Sequence, residues 1–501
     1  MAGVTCFLIL TSVEATSPDL VFRRLAADSE KLARSMCRRT SADWLVLGKG
    51  EAPCSGATVR PLLRYSSLLF FLLISGCSTG VDSEKTPKPP AEQVPPQEDG
   101  GDPTALEDDV VEEDAVEEDA VEEDAVEEDA VEEDAVEEDA VEDAEDPWVS
   151  VALLIEEERA NANIPGLAVA VTRPGEVVWT GAFGLANRET NLLVRVDTPF
   201  MLASVSKTVT AVAVMHAAQE DRLSLDEEIN AHLPFNVDNP QVDDEVILIR
   251  HLVSHTSGIR DNWSQIPYFD GDSPHPLRGY LEGYLIEGGQ WYDADQNFFA
   301  NMPGTANIYG NVATALAGFV LEAATGSSFD DYCDEHVFAP LSMDNTGWHL
   351  ADFDPAIVAM PYEYVNGRHQ AVGHYGYPDY PDGQLRSSVA DMSRLLAAIS
   401  NQGQLGEAVV LSPQSTQEML TAQFPSVDST QFVFWHEFIS AGRMVIGHGG
   451  SDRGVATRMV FSSDSGIGII ILLNTDWDTA GEAPETILEA LFAQAEEILR
   501  P

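Results

Sequence analysis

Ser204 and Lys207 are the residues whose types and spacing point most directly to chemistry. They lie in Ala203-Ser204-Val205-Ser206-Lys207-Thr208, at the head of a run of Val, Ala, Thr and Met that continues to Ala218. A run apolar all round predicts a helix buried on every face. Residues three apart share a helix face, so the hydroxyl and the amine can meet. The positive end of the helix dipole favours a developing alkoxide at Ser204. Burial pushes an amine pKa down, which predicts Lys207 as a neutral base. Between Trp148 and Pro501 there are fifteen arginines and one lysine, and that lysine is Lys207. Arginine does not give up its proton, so the one deprotonatable cation of this region stands beside a serine. Taken alone, the four-residue pattern fits better an N-cap serine followed by a surface lysine.

Elements that would hold this pair can be read on both sides of it. A helix is expected over Val149–Ala162, then strands over Gly166–Thr172 and Glu176–Phe183 around Pro174-Gly175. At the far end, Arg443–His448, Gly454–Phe461 and Gly466–Asn474 read as strands, followed by a helix over Glu482–Leu499. The apolar runs at the two ends need one partner, which predicts an α/β (α+β type) fold. Its antiparallel sheet would be built from both ends of the domain and flanked by helices. The sheet lobe takes in 148–225 and 385–501. A mostly helical second lobe, 226–384, is inserted between them. Its aromatics Trp263, Tyr268, Tyr280, Tyr284, Trp291 and Tyr292 either wall a cleft or fill the lobe's own core.

Two further motifs follow in order. Pro303-Gly304 leads into Tyr309-Gly310-Asn311, just before an apolar helix over Val312–Ala324, and Gly447-His448-Gly449-Gly450-Ser451 ends a C-terminal strand. With these, the chain resembles the serine β-lactamase and penicillin-binding-protein superfamily. The nearest branch holds class C β-lactamases, D-alanyl-D-alanine carboxypeptidases, D-aminopeptidases and related esterases. That branch carries Ser-x-x-Lys, Tyr-x-Asn, and Lys-Thr-Gly or His-x-Gly in this order. Leu252-Val253-Ser254-His255-Thr256-Ser257-Gly258 and Gly383-Gln384-Leu385-Arg386-Ser387-Ser388 are supporting matches, and the resemblance covers nearly all of 150–475.

The resemblance implies a β-lactamase/transpeptidase-like fold and an acyl-enzyme on Ser204. Lys207 and Tyr309 would share the movement of the serine proton, with either as the base. Asn311 would orient Lys207 and the substrate amide. Backbone N–H groups of Ser204 and Ser451 would form the oxyanion hole. His448, Gly449 and Gly450 would line the substrate along a strand edge. His-Gly-Gly in place of Lys-Thr-Gly removes a permanent cation, unless Arg453 or Arg458 restores it. This favours a D-Ala-D-Ala carboxypeptidase, D-amino-acid peptidase or esterase over a β-lactamase. A non-catalytic peptidoglycan-binding protein is the remaining alternative. His251 and His255, four apart, lack the Glu and third ligand of a zinc protease, so they read as structural. No metal and no cofactor are expected. The expected partners are a small peptide, ester or β-lactam substrate, and the domain is expected to be a monomer.

The 501 residues carry a net charge of −57, unevenly spread. Glu98–Asp146 holds 28 acidic residues and no basic one, which leaves −31 on 148–501. Such a surface repels nucleic acid and anionic lipid. Upstream, Arg60 and Arg64 precede Leu68-Leu69-Phe70-Phe71-Leu72-Leu73-Ile74 and Ser75-Gly76-Cys77. This is the pattern of a secretory signal, too short to span a bilayer, and Ile-Ser-Gly-Cys resembles a bacterial lipobox. The expected signal is 59–77, with the true start near Val59 and 1–58 outside the mature protein. Cys77 would be acylated, anchoring an exported protein to a bacterial membrane, facing the periplasm or the cell surface. Cys333 would then be the lone mature thiol besides Cys77, which leaves no disulfide within one molecule. Residues 78–147 open Pro-rich and repeat Val-Glu-Glu-Asp-Ala six times from Val111 to Ala140. A five-residue period makes no helical stripe, and three like charges per repeat oppose collapse, so a disordered tether is expected. At ~3.3 Å per residue, its roughly 70 residues reach at most ~230 Å. Replacing Cys77→Ala is expected to move the protein from the membrane fraction to the soluble fraction. A mature N-terminus upstream of residue 60, read by intact mass, would overturn this reading.

Overall fold

A computed structural model describes residues 146–243 and 245–500. The signal, Cys77 and the acidic repeats lie outside the described residues. The chain enters through helix α1 (Val149–Asn161) and passes into strands β1 (Gly166–Arg173), β2 (Glu176–Asn187) and β3 (Leu192–Leu193). It then crosses helices α2 (Ser206–Gln219), α3 (Asn311–Thr325) and α4 (Val389–Ser400). It returns through β4 (His436–Ser440), β5 (Arg443–Asp452), β6 (Val455–Ser462), β7 (Gly468–Leu473) and helix α5 (Ala483–Ile498).

Both ends of the region do build one antiparallel sheet. Its order is β4-β5-β6-β7-β1-β2-β3, and the two halves join where β1 pairs with β7, Leu167 opposite Leu473 through Thr172 opposite Gly468. Seven strands form rather than five. The two added, β3 and β4, are edge strands: one has only two residues and the other, His436-Glu-Phe-Ile-Ser, is weakly alternating. Neither carries the apolar run that marks a central strand.

Strand periodicity sorts the core into two layers. Leu167, Val169, Val171, Ile469, Ile471 and Leu473 face α1 and α5, meeting Ile155, Ile487, Leu491 and Phe492. Ala168, Ala170, Ile470, Leu472 and Met459 face the other way, toward α2 and α3. That second layer runs on without interruption into Tyr280, Tyr284, Phe298 and Phe329 of the inserted lobe. The two lobes therefore share a core. α2 lies inside it, with every residue from Ser206 to Met215 buried. Each fully buried Val or Met side chain there contributes roughly 1.5–3 kcal/mol. Of the lobe's aromatics, Tyr280 and Tyr284 fill the core, whereas Trp263 is 64% exposed. Cys333 is a buried thiol, consistent with a packing role.

Asn474 fastens the central strands at the end nearest the inserted lobe. Its Oδ1 accepts from the Gly166 N–H at 2.8 Å, and its Nδ2 donates to the carbonyls of Leu185 and Ala186 at 3.0 and 3.2 Å. The side chain is 2% exposed, so water cannot replace these partners. Asn474→Ala is expected to cost about 2–3 kcal/mol, read as a lower urea midpoint at unchanged slope. Asn474→Asp should lose a comparable amount, because a carboxylate would face two carbonyl oxygens. A loss below ~0.5 kcal/mol in both would show that the staple is unimportant.

Candidate active site

The nucleophile sits on a strained approach. Ala203 has φ +47°, in the left-handed region that an L-residue avoids, directly before Ser204. A short 3-10 turn, Ala203–Val205, then feeds α2. Ser204 is partly exposed, while Lys207 is completely buried. The turn is held by its neighbours. Leu202 N–H donates to Leu385 O at 2.9 Å, and Leu202 O accepts from Thr457 Oγ1 at 2.6 Å.

Gly450 is required by this approach of β5 to the turn. A Cβ there would stand 2.1 Å from Thr457 Oγ1 and 2.3 Å from Leu202 O. β4 pairs with β5 only as far as Gly447, opposite His436. His448–Asp452 therefore run past it with β6 as their one strand partner. Ser451 and Asp452 line the same cleft as Ser204, Asn311 and Tyr377.

Around Ser204 the structure brings together Lys207, Tyr309 and Asn311. Tyr309 OH donates to Ser204 Oγ at 2.8 Å. Lys207 Nζ reaches Ser204 Oγ at 3.2 Å, Asn311 Oδ1 at 2.6 Å and the Asp382 carbonyl at 2.6 Å. The Lys207 ammonium also lies 4.9 Å from the centre of the Tyr309 ring. Tyr309 is 43% exposed, with its hydroxyl on Ser204.

The protonation state of Lys207 corrects the expectation of a neutral amine. Burial does pull its pKa down, but the Tyr309 oxygen and the carboxylates of Asp382 and Asp261 outweigh it, and the net shift is upward. Geometry agrees, since three acceptors surround Nζ and take its three protons. Both the direction of the shift and the three acceptors favour the ammonium form of Lys207. Burial raises the Tyr309 phenol, with Lys207 opposing. Burial likewise pushes the Asp382 carboxyl up to about 7, again against Lys207.

Asp261 and Asp382 were missed by sequence reasoning. Asp261 accepts the N–H groups of Asn311 at 2.8–2.9 Å and Val312 at 3.0 Å, capping α3 and fixing Asn311 against Lys207. No spacing signal marks it, since it lies 50 residues before the helix that it caps. Asp382 directly precedes the Gly383–Ser388 match, and a wider window would have included it.

His448 sits 5% exposed on the α2 side of β5. Its Nδ1–H donates to Gly449 O at 2.6 Å. Burial, with His436 and Lys207 nearby, holds its pKa well below the ordinary histidine value, so the ring is neutral. Neither arginine restores a cation there. Arg458 pairs across from Gly449, which puts its side chain on the opposite face from His448. It packs over Phe438 and Trp477. Arg453 faces Glu363 at 4.0 Å.

His251 and His255 both hold backbone. His251 Nδ1 accepts from Leu248 N–H at 3.0 Å, and His255 Nδ1 accepts from Gly310 N–H at 3.3 Å. The His255 ring lies 4.6 Å from the Tyr309 ring, so it shapes the loop that delivers the tyrosine.

Comparison with known proteins bears on the fold and the family. Protein flp of Staphylococcus aureus (strain MW2) is 22% identical over 332 residues, 66% of this chain and 63% of flp. The chain thus spans less than two thirds of that relative. Esterase EstB of Burkholderia gladioli is 32% identical over 206 residues, 39% of this chain and 50% of EstB. The solved β-lactamase/D-alanine carboxypeptidase of Pseudomonas syringae superposes with a TM-score of 0.53 at 21% identity. That match covers 69% of this chain and 99% of the other, and it shows the shared fold. A family model described as Beta-lactamase matches residues 151–494, and the chain belongs to the Beta-lactamase family, a family of serine hydrolases.

Proposed function

We propose that the protein hydrolyses esters and amides through an acyl-enzyme on Ser204, as a peptidase or esterase of the cell envelope. The observation that carries this is the contact of Ser204 Oγ with both Tyr309 OH at 2.8 Å and Lys207 Nζ at 3.2 Å. Lys207 keeps its protons and acts as the fixed positive charge. The phenolate form of Tyr309 then takes the serine proton as Oγ attacks the carbonyl carbon, and returns it to the leaving group. Backbone N–H groups of Ser204 and Ser451 face the carbonyl oxygen, where loss of one donor costs ~3 kcal/mol. Water enters by the same route to release the acid. A buried His448 without charge offers no partner to a substrate carboxylate, which favours peptidase or esterase action over β-lactam hydrolysis. The anchoring at Cys77 and the tether are part of the same proposal and would hold the domain at the membrane surface.

Ser204→Ala is expected to remove ester turnover and fluorophosphonate labelling, lowering kcat by on the order of 10³-fold or more. Unchanged labelling, read by intact mass, would sink the assignment.

The pH profile tests the base. Tyr309 acts deprotonated and its pKa is raised above the ordinary phenol value. The active fraction therefore rises with pH, and kcat/KM should still be climbing at alkaline pH. Tyr309→Phe should cost about 10²–10⁴-fold in kcat and abolish that limb. A profile that is flat from neutral pH upward, or a limb that survives in Tyr309→Phe, would remove Tyr309 from the role of base.

A further inference from the structure

The cleft in front of Ser204 is acidic and aromatic. Trp263, Tyr268, Tyr377, Asp379, Asp382 and Asp452 line it. Asp379 and Asp382 are 1% and 5% exposed, and Oδ1 of each has no hydrogen-bond partner within the protein. Asp452 lies four residues beyond His448 on β5, so it projects from the same face of the strand. Its Oδ1 accepts from Tyr268 OH at 3.2 Å. The Tyr268 and Tyr377 rings lie 5.3 Å apart at 58°, and Trp263 stands exposed at the mouth.

The only lysine near these carboxylates gives its protons to Ser204, Asn311 and the Asp382 carbonyl. Arg386 is buried and donates to the carbonyls of Tyr375 and Gln384. A substrate carboxylate would thus meet several carboxyl groups, with Lys207 and Arg386 engaged and Arg453 turned toward Glu363 at 4.0 Å. An ammonium group meets the reverse. Carboxyl oxygens accept its N–H bonds or its charge, and tyrosine and tryptophan faces attract a cation. A buried carboxyl oxygen without a partner costs free energy, which an incoming donor would return.

We infer that this cleft is a cation subsite, and that the substrate carries a positively charged amino or ammonium group recognised by Asp379 and Asp452 with Tyr268 and Trp263. This rests on the hydrolase reading of Ser204 and specifies its substrate class.

The test compares matched substrates on the full-length protein. The 4-nitroanilides of D-alanine and N-acetyl-D-alanine place the charge on the acyl side. Acetylthiocholine and 3,3-dimethylbutyl thioacetate place it on the leaving group. Each kcat/KM is divided by the uncatalysed rate, so that intrinsic reactivity cancels. The cationic member is expected to be preferred at least tenfold in one pair. Asp379→Asn or Asp452→Asn should reduce that ratio about tenfold, with folding of each variant checked by thermal melting. A ratio at or below one in both pairs overturns the subsite, as does a ratio unmoved in both variants. It leaves the hydrolase reading standing if turnover depends on Ser204. If no substrate is turned over in a Ser204-dependent way, the hydrolase reading fails instead. The subsite is then read alone, by titrating tetramethylammonium and D-alaninamide into the Ser204→Ala protein by calorimetry. Saturable binding weakened tenfold by Asp379→Asn supports it, and absence of binding to either probe overturns it.

Discussion

A buried ammonium is the constraint on which this site depends. Lys207 is completely buried at the head of α2, where an isolated charge would be far too costly. It is kept charged because every proton has an acceptor, and because Asp382 Oδ2 lies 3.8 Å away. Each acceptor in turn requires a separate piece of the fold. Asn311 is fixed by Asp261 at the start of α3, and the Asp382 carbonyl is fixed by the turn before Arg386–Ser387. Ser204 is fixed by the strained turn at Ala203. Removing the ammonium would leave three acceptors facing one another, so the charge organises the centre as much as the centre protects the charge.

Sheet geometry supplies the other half. β5 must approach the Ser204 turn closely, and Gly450 permits this because any side chain there would strike Thr457 and Leu202. β5 must also outrun β4, so that His448–Asp452 have no strand partner on that side. The strand alternation then decides which residues the substrate meets. His448 and Asp452 share the site face, whereas Arg458, opposite Gly449, is carried to the far face. A one-residue slip would exchange these sets and reverse the charge of the cleft.

Much of this was legible in the sequence because its signals are local. The all-round apolar run after Ser204 predicts a buried helix, and the run from Ser206 to Met215 is buried throughout. The apolar runs at the two ends predict a shared antiparallel sheet, and β1 pairs with β7. What escaped is long-range. Asp261 caps a helix fifty residues away, and Asp382 works partly through its backbone carbonyl, which no side-chain motif records. The charge of Lys207 escaped for the same reason. Burial alone argues for a neutral amine, and the counter-charges come from segments distant in sequence.

His448 in the place of a lysine and Asp452 further along the same strand belong together physically. Loss of a lysine at position 448 alone would leave the cleft weakly negative through Asp382, yet still open to neutral groups. Asp452 lies on the same strand face two side chains further along, and Asp379 lines the same cleft with its Oδ1 unpartnered. Once the strand's own cation is gone, burial outweighs the Lys207 and Arg453 charges at these carboxyl groups, and the cost of burying them becomes a preference for what enters. The same five residues of β5, His448–Asp452, that remove an attraction for anions thus install one for cations. A cleft built this way discriminates by charge before any fit of shape is tested.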